Sequence, residues 1–160
     1  MQPDNSQPLF TTPIRVRWSE CDRQGIAFNG AYLEYLEIAQ AEYFRNLGYS
    51  IYELAETGFF DTVVVHTDLS FLSPVRVDEV LELHCSITKL KTTSMYFRVN
   101  IYNQTGEHTT IINAVYVGYD QTTGTKKNIP EDIRTLIESF ERDGTIIPVI
   151  ELCNLRKYIT

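Results

Sequence analysis

Trp18-Ser19-Glu20-Cys21-Asp22-Arg23-Gln24-Gly25-Ile26-Ala27-Phe28-Asn29-Gly30-Ala31-Tyr32 joins two different periodicities. Before it, Thr12, Ile14, Val16 and Trp18 alternate with Pro13, Arg15, Arg17 and Ser19, the two-residue period of a half-buried strand. After it, Tyr32, Leu36, Ala39, Tyr43 and Leu47 recur at three- and four-residue steps, which predicts an amphipathic helix over residues 30–47. Asn29 is a good N-cap residue, and Gly48 stands where a helix C-terminal glycine belongs. The acidic loop therefore runs through Gly25 into a helix start. The first N–H groups of a helix lack intrahelical partners, and the macrodipole adds roughly half a positive charge there. Asp22 and those donors aim at one small volume, an arrangement suited to attack on a carbonyl whose oxygen becomes negative.

Beyond the helix, residues 51–57 read as a short helical piece ending at Gly58. Four strand-like segments follow, over residues 63–71, 80–91, 95–102 and 108–119, broken at Ser73-Pro74, at Asn103-Gln104-Thr105-Gly106 and after Tyr119. Their short connections predict antiparallel neighbours. Pro130 suits the start of a second, smaller helix over 131–142. The expected organisation is a lead-in over residues 1–9, one α+β domain over 10–142 and a C-terminal extension over 143–160 that packs back on it. One sheet needs its apolar face covered, and the helix over 30–47 is the element long enough to do so. A sheet wrapped around that helix keeps an open edge, so a homodimer or homotetramer is expected.

At 160 residues, with 43% hydrophobic and 22% charged residues, the composition is that of a globular domain. A net charge of −7 argues against general nucleic-acid binding, which would show a basic stripe. Three scattered cysteines form no Cys-x-x-Cys pair, so neither a disulfide framework nor a zinc site is indicated. No stretch approaches the ~20 apolar residues of a membrane span, and the polar start has no signal-like apolar region, so a cytoplasmic location is expected. No metal is expected, and there is no nucleophile elbow, P-loop or dinucleotide fingerprint.

The acidic-x-Asp-x-x-Gly-Ile-x-aromatic loop, followed by Tyr32-Leu33-Glu34-Tyr35-Leu36-Glu37 on a helix and by Ser70-Phe71-Leu72-Ser73-Pro74, resembles the hotdog-fold acyl-CoA thioesterases of the 4-hydroxybenzoyl-CoA thioesterase type. The resemblance covers about residues 12–120. It implies an antiparallel five-stranded sheet wrapped around one long helix. It also implies hydrolysis of an acyl-CoA, or of an acyl-carrier-protein thioester, to free acid and thiol. Asp22 falls on the family's catalytic aspartate, and Asn29 on the position whose backbone N–H polarises the thioester carbonyl. Relatives commonly carry histidine or tyrosine there, so Asn29 is a departure. Gly25, Ile26 and Phe28 would line the substrate site, and Lys89, Lys91 and Ser94 would meet coenzyme A. No cofactor is implied beyond coenzyme A as part of the substrate.

An exposed aspartate is ionised at neutral pH, so Asp22 suits either direct attack on the thioester carbon or activation of a water. Thiolate leaves readily, so no strong general acid is required. By residue type alone, an aspartate before a helix is more often a turn former or cap than a catalyst. Glu34 and Glu37 are rival carboxylates whose default is a solvated helix face, and His66 is best read as structural. Three functions stay open: a thioesterase, a non-catalytic acyl-CoA-binding or regulatory protein of the same fold, and, ranked last, a hydratase, which would need a histidine near the helix start.

Overall fold

The computed structural model describes residues 8–159, so the expected lead-in lies outside the described residues except for Pro8 and Leu9. Five long strands, β1 (Phe10–Arg15), β2 (Asp61–Phe71), β3 (Val80–Leu90), β4 (Ser94–Asn103) and β5 (His108–Asp120), form one antiparallel sheet in the order β1-β3-β4-β5-β2. A two-residue strand, β6 (Thr125–Lys126), adds to β5. The long helix α1 (Ala31–Asn46) lies in the curl of this sheet, as expected of the hotdog arrangement. Two shorter helices are α2 (Ile51–Glu56) and α3 (Glu131–Asp143).

The periodicities explain the packing. Tyr32, Leu36, Ala39 and Tyr43 of α1, with Leu47 at its C-terminal cap, are all buried. Facing them are the alternate residues Leu81, Leu83 and Cys85 of β3 and Met95, Phe97, Val99 and Ile101 of β4. Each large apolar side chain so buried contributes about 1.5–3 kcal/mol. Tyr43 meets Phe97 and Phe140 edge-on at 5.5 and 5.7 Å between ring centroids. Its hydroxyl donates to Glu141 on α3 at 2.5 Å, and the same carboxylate oxygen accepts the Ile87 N–H at 2.7 Å. Ile87 borders an irregularity in the β3–β4 ladder, so Glu141 ties α3 to the sheet where the pairing slips. Burial pushes the Glu141 carboxyl up, and the bonds from Ile87 and Tyr43 offset part of that rise. The C-terminal segment is held similarly, with Asp132 accepting the N–H groups of Asn154 and Leu155 at 2.8 Å each while Leu155 is fully buried.

Two sequence expectations are corrected. The first strand ends at Arg15, and Trp18 is not its last inward residue but opens a 3-10 turn (Trp18–Glu20) with 83% of its surface exposed. The Glu20 carboxylate draws in both the Arg17 N–H and the Arg17 guanidinium, and this turns the chain off the strand line. Asn29 is not the helix cap: Gly30 is. The Phe28 ring lies over Gly30, where any β-carbon would run into it, so the glycine takes the cap and Asn29 stands one residue outside.

Candidate active site

The loop carrying Asp22 is a tight hairpin. Gly25 N–H donates to Asp22 O and Asp22 N–H to Ile26 O, both at 2.9 Å, while Cys21 and Ala27 form a bridge pair. Gly25 has φ +75°, a left-handed turn position that a side chain would strain. The hairpin is fastened on both flanks, by Ala27 N–H to Val75 O at 2.8 Å and by Phe28 N–H to Glu20 O at 3.0 Å. Asp22 is exposed, with Oδ1 accepting the Gln24 N–H at 2.7 Å. Its other oxygen has no partner among the described residues. Ile26 is half-buried against Arg76, and Phe28 is exposed.

Just after the hairpin the chain enters α1. Ala31 N–H donates to Phe28 O, but among the described residues the N–H groups of Asn29 and Gly30 have no acceptor. N–H groups left open at a helix start, with the helix dipole behind them, are suited to an anionic oxygen.

Beneath this site is a buried ionic knot that residue patterns did not reveal. Glu20 is 4% exposed and accepts the Arg17 N–H at 2.7 Å, Arg17 Nε at 2.6 Å and the Tyr35 hydroxyl at 2.8 Å. Arg17 also reaches Glu34 at 3.2 Å. Burial pushes the Glu20 carboxyl up, but the Arg17 N–H, the Tyr35 hydroxyl and the Arg17 guanidinium outweigh it and hold it below the usual range. Tyr35 is pushed up by burial and by its bond to Glu20, so it stays a hydroxyl donor. Cys21 is pushed up by burial and by the charges of Glu20 and Asp22, which keeps it a protonated thiol and a poor nucleophile. The one foretaste in the sequence was the Arg17–Glu20 spacing, which has no force until a 3-10 turn makes it a contact.

The remaining candidates lie elsewhere. Val16 N–H bonds to Glu79 O, so the Asp22 hairpin sits by the Val80 end of β3. Lys89 is nine residues further on, about 30 Å along an extended strand. Lys89 and Lys91 stand with their ammonium groups 5.7 and 5.2 Å from the Tyr96 ring centre, and Ser94 O accepts the Lys91 N–H. One chain therefore does not bring Lys89, Lys91 and Ser94 together with Asp22. Histidine 66 is exposed on β2 with Asp68 at 3.7 Å.

A cleft of about 520 Å³ opens between α1, α2 and β2, beginning at Leu33 one turn into α1. Leu36, Phe44, Leu54, Phe60 and Val64 supply its apolar wall, with Glu37 and Gln40 from α1 among its polar groups.

With a carboxylate loop fixed at the mouth of a helix inside a curled antiparallel sheet, the chain belongs to the thioesterase superfamily, whose family model matches residues 24–110. It is similar to the acyl-CoA thioester hydrolase YbgC of Escherichia coli, with 32% identity over 96 residues covering 59% of this chain and 70% of YbgC. Among solved structures, it resembles a thioesterase superfamily protein of Jannaschia sp., with TM-score 0.77 and 28% identity covering 87% of this chain and 96% of that one. The fold is likewise that of the DHNA-CoA thioesterase of Staphylococcus aureus, with TM-score 0.77 and 18% identity covering 86% and 95%. Among the described residues, no helix is long and apolar enough to cross a membrane.

Proposed function

We propose that this chain hydrolyses an acyl-CoA thioester, or alternatively an acyl-carrier-protein thioester, to a free acid and a thiol. The observation carrying the reading is the Asp22 carboxylate on a braced hairpin that leads directly into α1, where the N–H groups of Asn29 and Gly30 have no acceptor among the described residues. The E. coli relative is an acyl-CoA thioester hydrolase, which supports the substrate class. The carbonyl oxygen rests on the Asn29 N–H, while Asp22 either attacks the thioester carbon, giving a mixed anhydride that water then hydrolyses to release the acid and restore the carboxylate, or takes a proton from a water that attacks the carbon itself. The carbon–sulfur bond breaks and coenzyme A departs as thiolate. One preorganised donor of this kind is typically worth about 3–4 kcal/mol in the transition state. Because the polarising group is the backbone N–H, asparagine serves in place of the histidine or tyrosine of relatives.

The working unit is a homodimer. Strand β2 pairs only with β5 among the described strands, and its Val64, Val65 and Phe71, with Leu72 beyond, are exposed. Antiparallel pairing of β2 with a second copy would set the Asp22 end of one chain beside the Lys89 end of the other. Coenzyme A phosphates would then meet the partner subunit's Lys89 and Lys91, with its Ser94 adding a hydroxyl.

Thiol release from acyl-CoA thioesters, wild type against Asp22→Asn, tests the reading. Asparagine keeps an oxygen for the Gln24 N–H, so the fold should persist while turnover drops at least a hundredfold. Unchanged turnover removes Asp22 from the chemistry. Tight acyl-CoA binding by the wild type without thiol release would instead identify a binding protein.

A further inference from the structure

An apolar acyl tunnel has no use for an amide in its wall, yet the cleft between α1 and β2 contains one. Gln40 lines it, is 5% exposed, and its Nε2 has no hydrogen-bond partner among the described residues. A buried amide donor without an acceptor is destabilising, and a ligand oxygen set against it removes that penalty. Glu37 lies three residues earlier on the same face of α1 and lines the same cleft. Its carboxylate accepts hydrogen bonds and donates none. A hydroxyl satisfies both, accepting from Gln40 and donating to Glu37. A second acid, Asp61, also lines the cleft, so an anionic end group is disfavoured there.

Position along the helix sets the length. Glu37 and Gln40 lie seven and ten residues beyond the Gly30 cap, about 10 and 15 Å at 1.5 Å per residue. An extended chain of roughly eight to twelve carbons spans that range when ~1.5 Å bonds are projected onto its axis. A single aromatic ring does not.

Resting on the hydrolysis reading above, we propose that the cleft takes the acyl group and that Gln40, with Glu37, reads a hydroxyl near its far end. The favoured substrates are then medium-chain hydroxyacyl-CoA thioesters rather than plain acyl or single-ring aroyl ones.

The test compares 10-hydroxydecanoyl-CoA with decanoyl-CoA on wild type, Gln40→Leu and Glu37→Leu. The wild type should favour the hydroxylated thioester about tenfold in kcat/KM, as expected when a built polar site is matched rather than left unpaired. Gln40→Leu should bring that ratio to one or below, through KM for the hydroxylated substrate. Glu37 is exposed, so Glu37→Leu should fold even if the buried change does not, and it should lower the ratio as well. An identical ratio in wild type and a folded variant overturns the proposal, as does a wild-type preference for the plain chain. If the wild type cleaves neither ester, the hydrolysis reading fails on its own. Calorimetric affinities of the two esters for the same proteins then decide the cleft: a tenfold preference lost in Gln40→Leu supports it, and equal affinities overturn it.

Discussion

Replacing Glu20 with alanine attacks the knot under the site without touching Asp22. The variant leaves the Tyr35 hydroxyl and the Arg17 N–H without their acceptor at 2.8 and 2.7 Å. Tyr35 is 1% exposed, so its hydroxyl cannot turn to solvent. An unsatisfied buried donor costs about 1–3 kcal/mol. The Arg17 guanidinium is more than half exposed and re-solvates readily, so the ion pair itself adds little. A total of about 2–4 kcal/mol follows, which for a domain of this size lowers Tm by roughly 5–15 °C. Paired with Tyr35→Phe in a double-mutant cycle, the two losses should be markedly non-additive, because the second change removes the donor that the first stranded. The pH dependence carries a definite sign. The folded state holds the Glu20 carboxyl below its usual range, so its contribution is complete above the ordinary carboxylate pKa and is lost as pH falls through the depressed value. The stability gap between wild type and Glu20→Ala should therefore be full at neutral pH and shrink below about pH 4. Thermal denaturation followed by circular dichroism measures all three. A melting point within 2 °C of wild type at pH 7, or strict additivity with Tyr35→Phe, would refute the reasoning.

Asn29→Ala should change stability by less than about 0.5 kcal/mol, since Gly30 is the cap, and should leave the rate within a few-fold, since the polarising donor is backbone. A thousandfold rate loss would mean that the amide side chain takes part in the chemistry. Sedimentation equilibrium at micromolar concentration should give twice the chain mass, with Val65→Lys on the exposed β2 edge shifting the protein toward monomer; a wild type that stays monomeric would remove the proposed route from Asp22 to the partner's lysines.

The apolar periods on either side of the Asp22 loop carried the architecture. Alternation over residues 12–16 and three-and-four spacing from Tyr32 to Leu47 are local facts, each dictating which face of its own element is buried. The ends of elements were less legible. Strand β1 stops short of Trp18 because a carboxylate two residues further on captures Arg17, and α1 is capped by Gly30 rather than Asn29, with the Phe28 ring over that position. Neither cause can be read from residue propensities.

Residue order by itself determined a curled antiparallel sheet around one helix, with a carboxylate placed just before that helix. The strands, the helix and the position of the carboxylate follow from short-range periodicity and one glycine turn, while the curl of the sheet around the helix was what the resemblance implied. Tertiary structure decided what lies within reach of the carboxylate. It set Lys89 and Lys91 a strand's length away, bonded the buried Glu20 to the Tyr35 hydroxyl, and left the Gln40 amide facing no acceptor among the described residues. The reason is that contacts between distant residues depend on how whole elements are stacked and offset, and a periodicity contains no information about its neighbour's register.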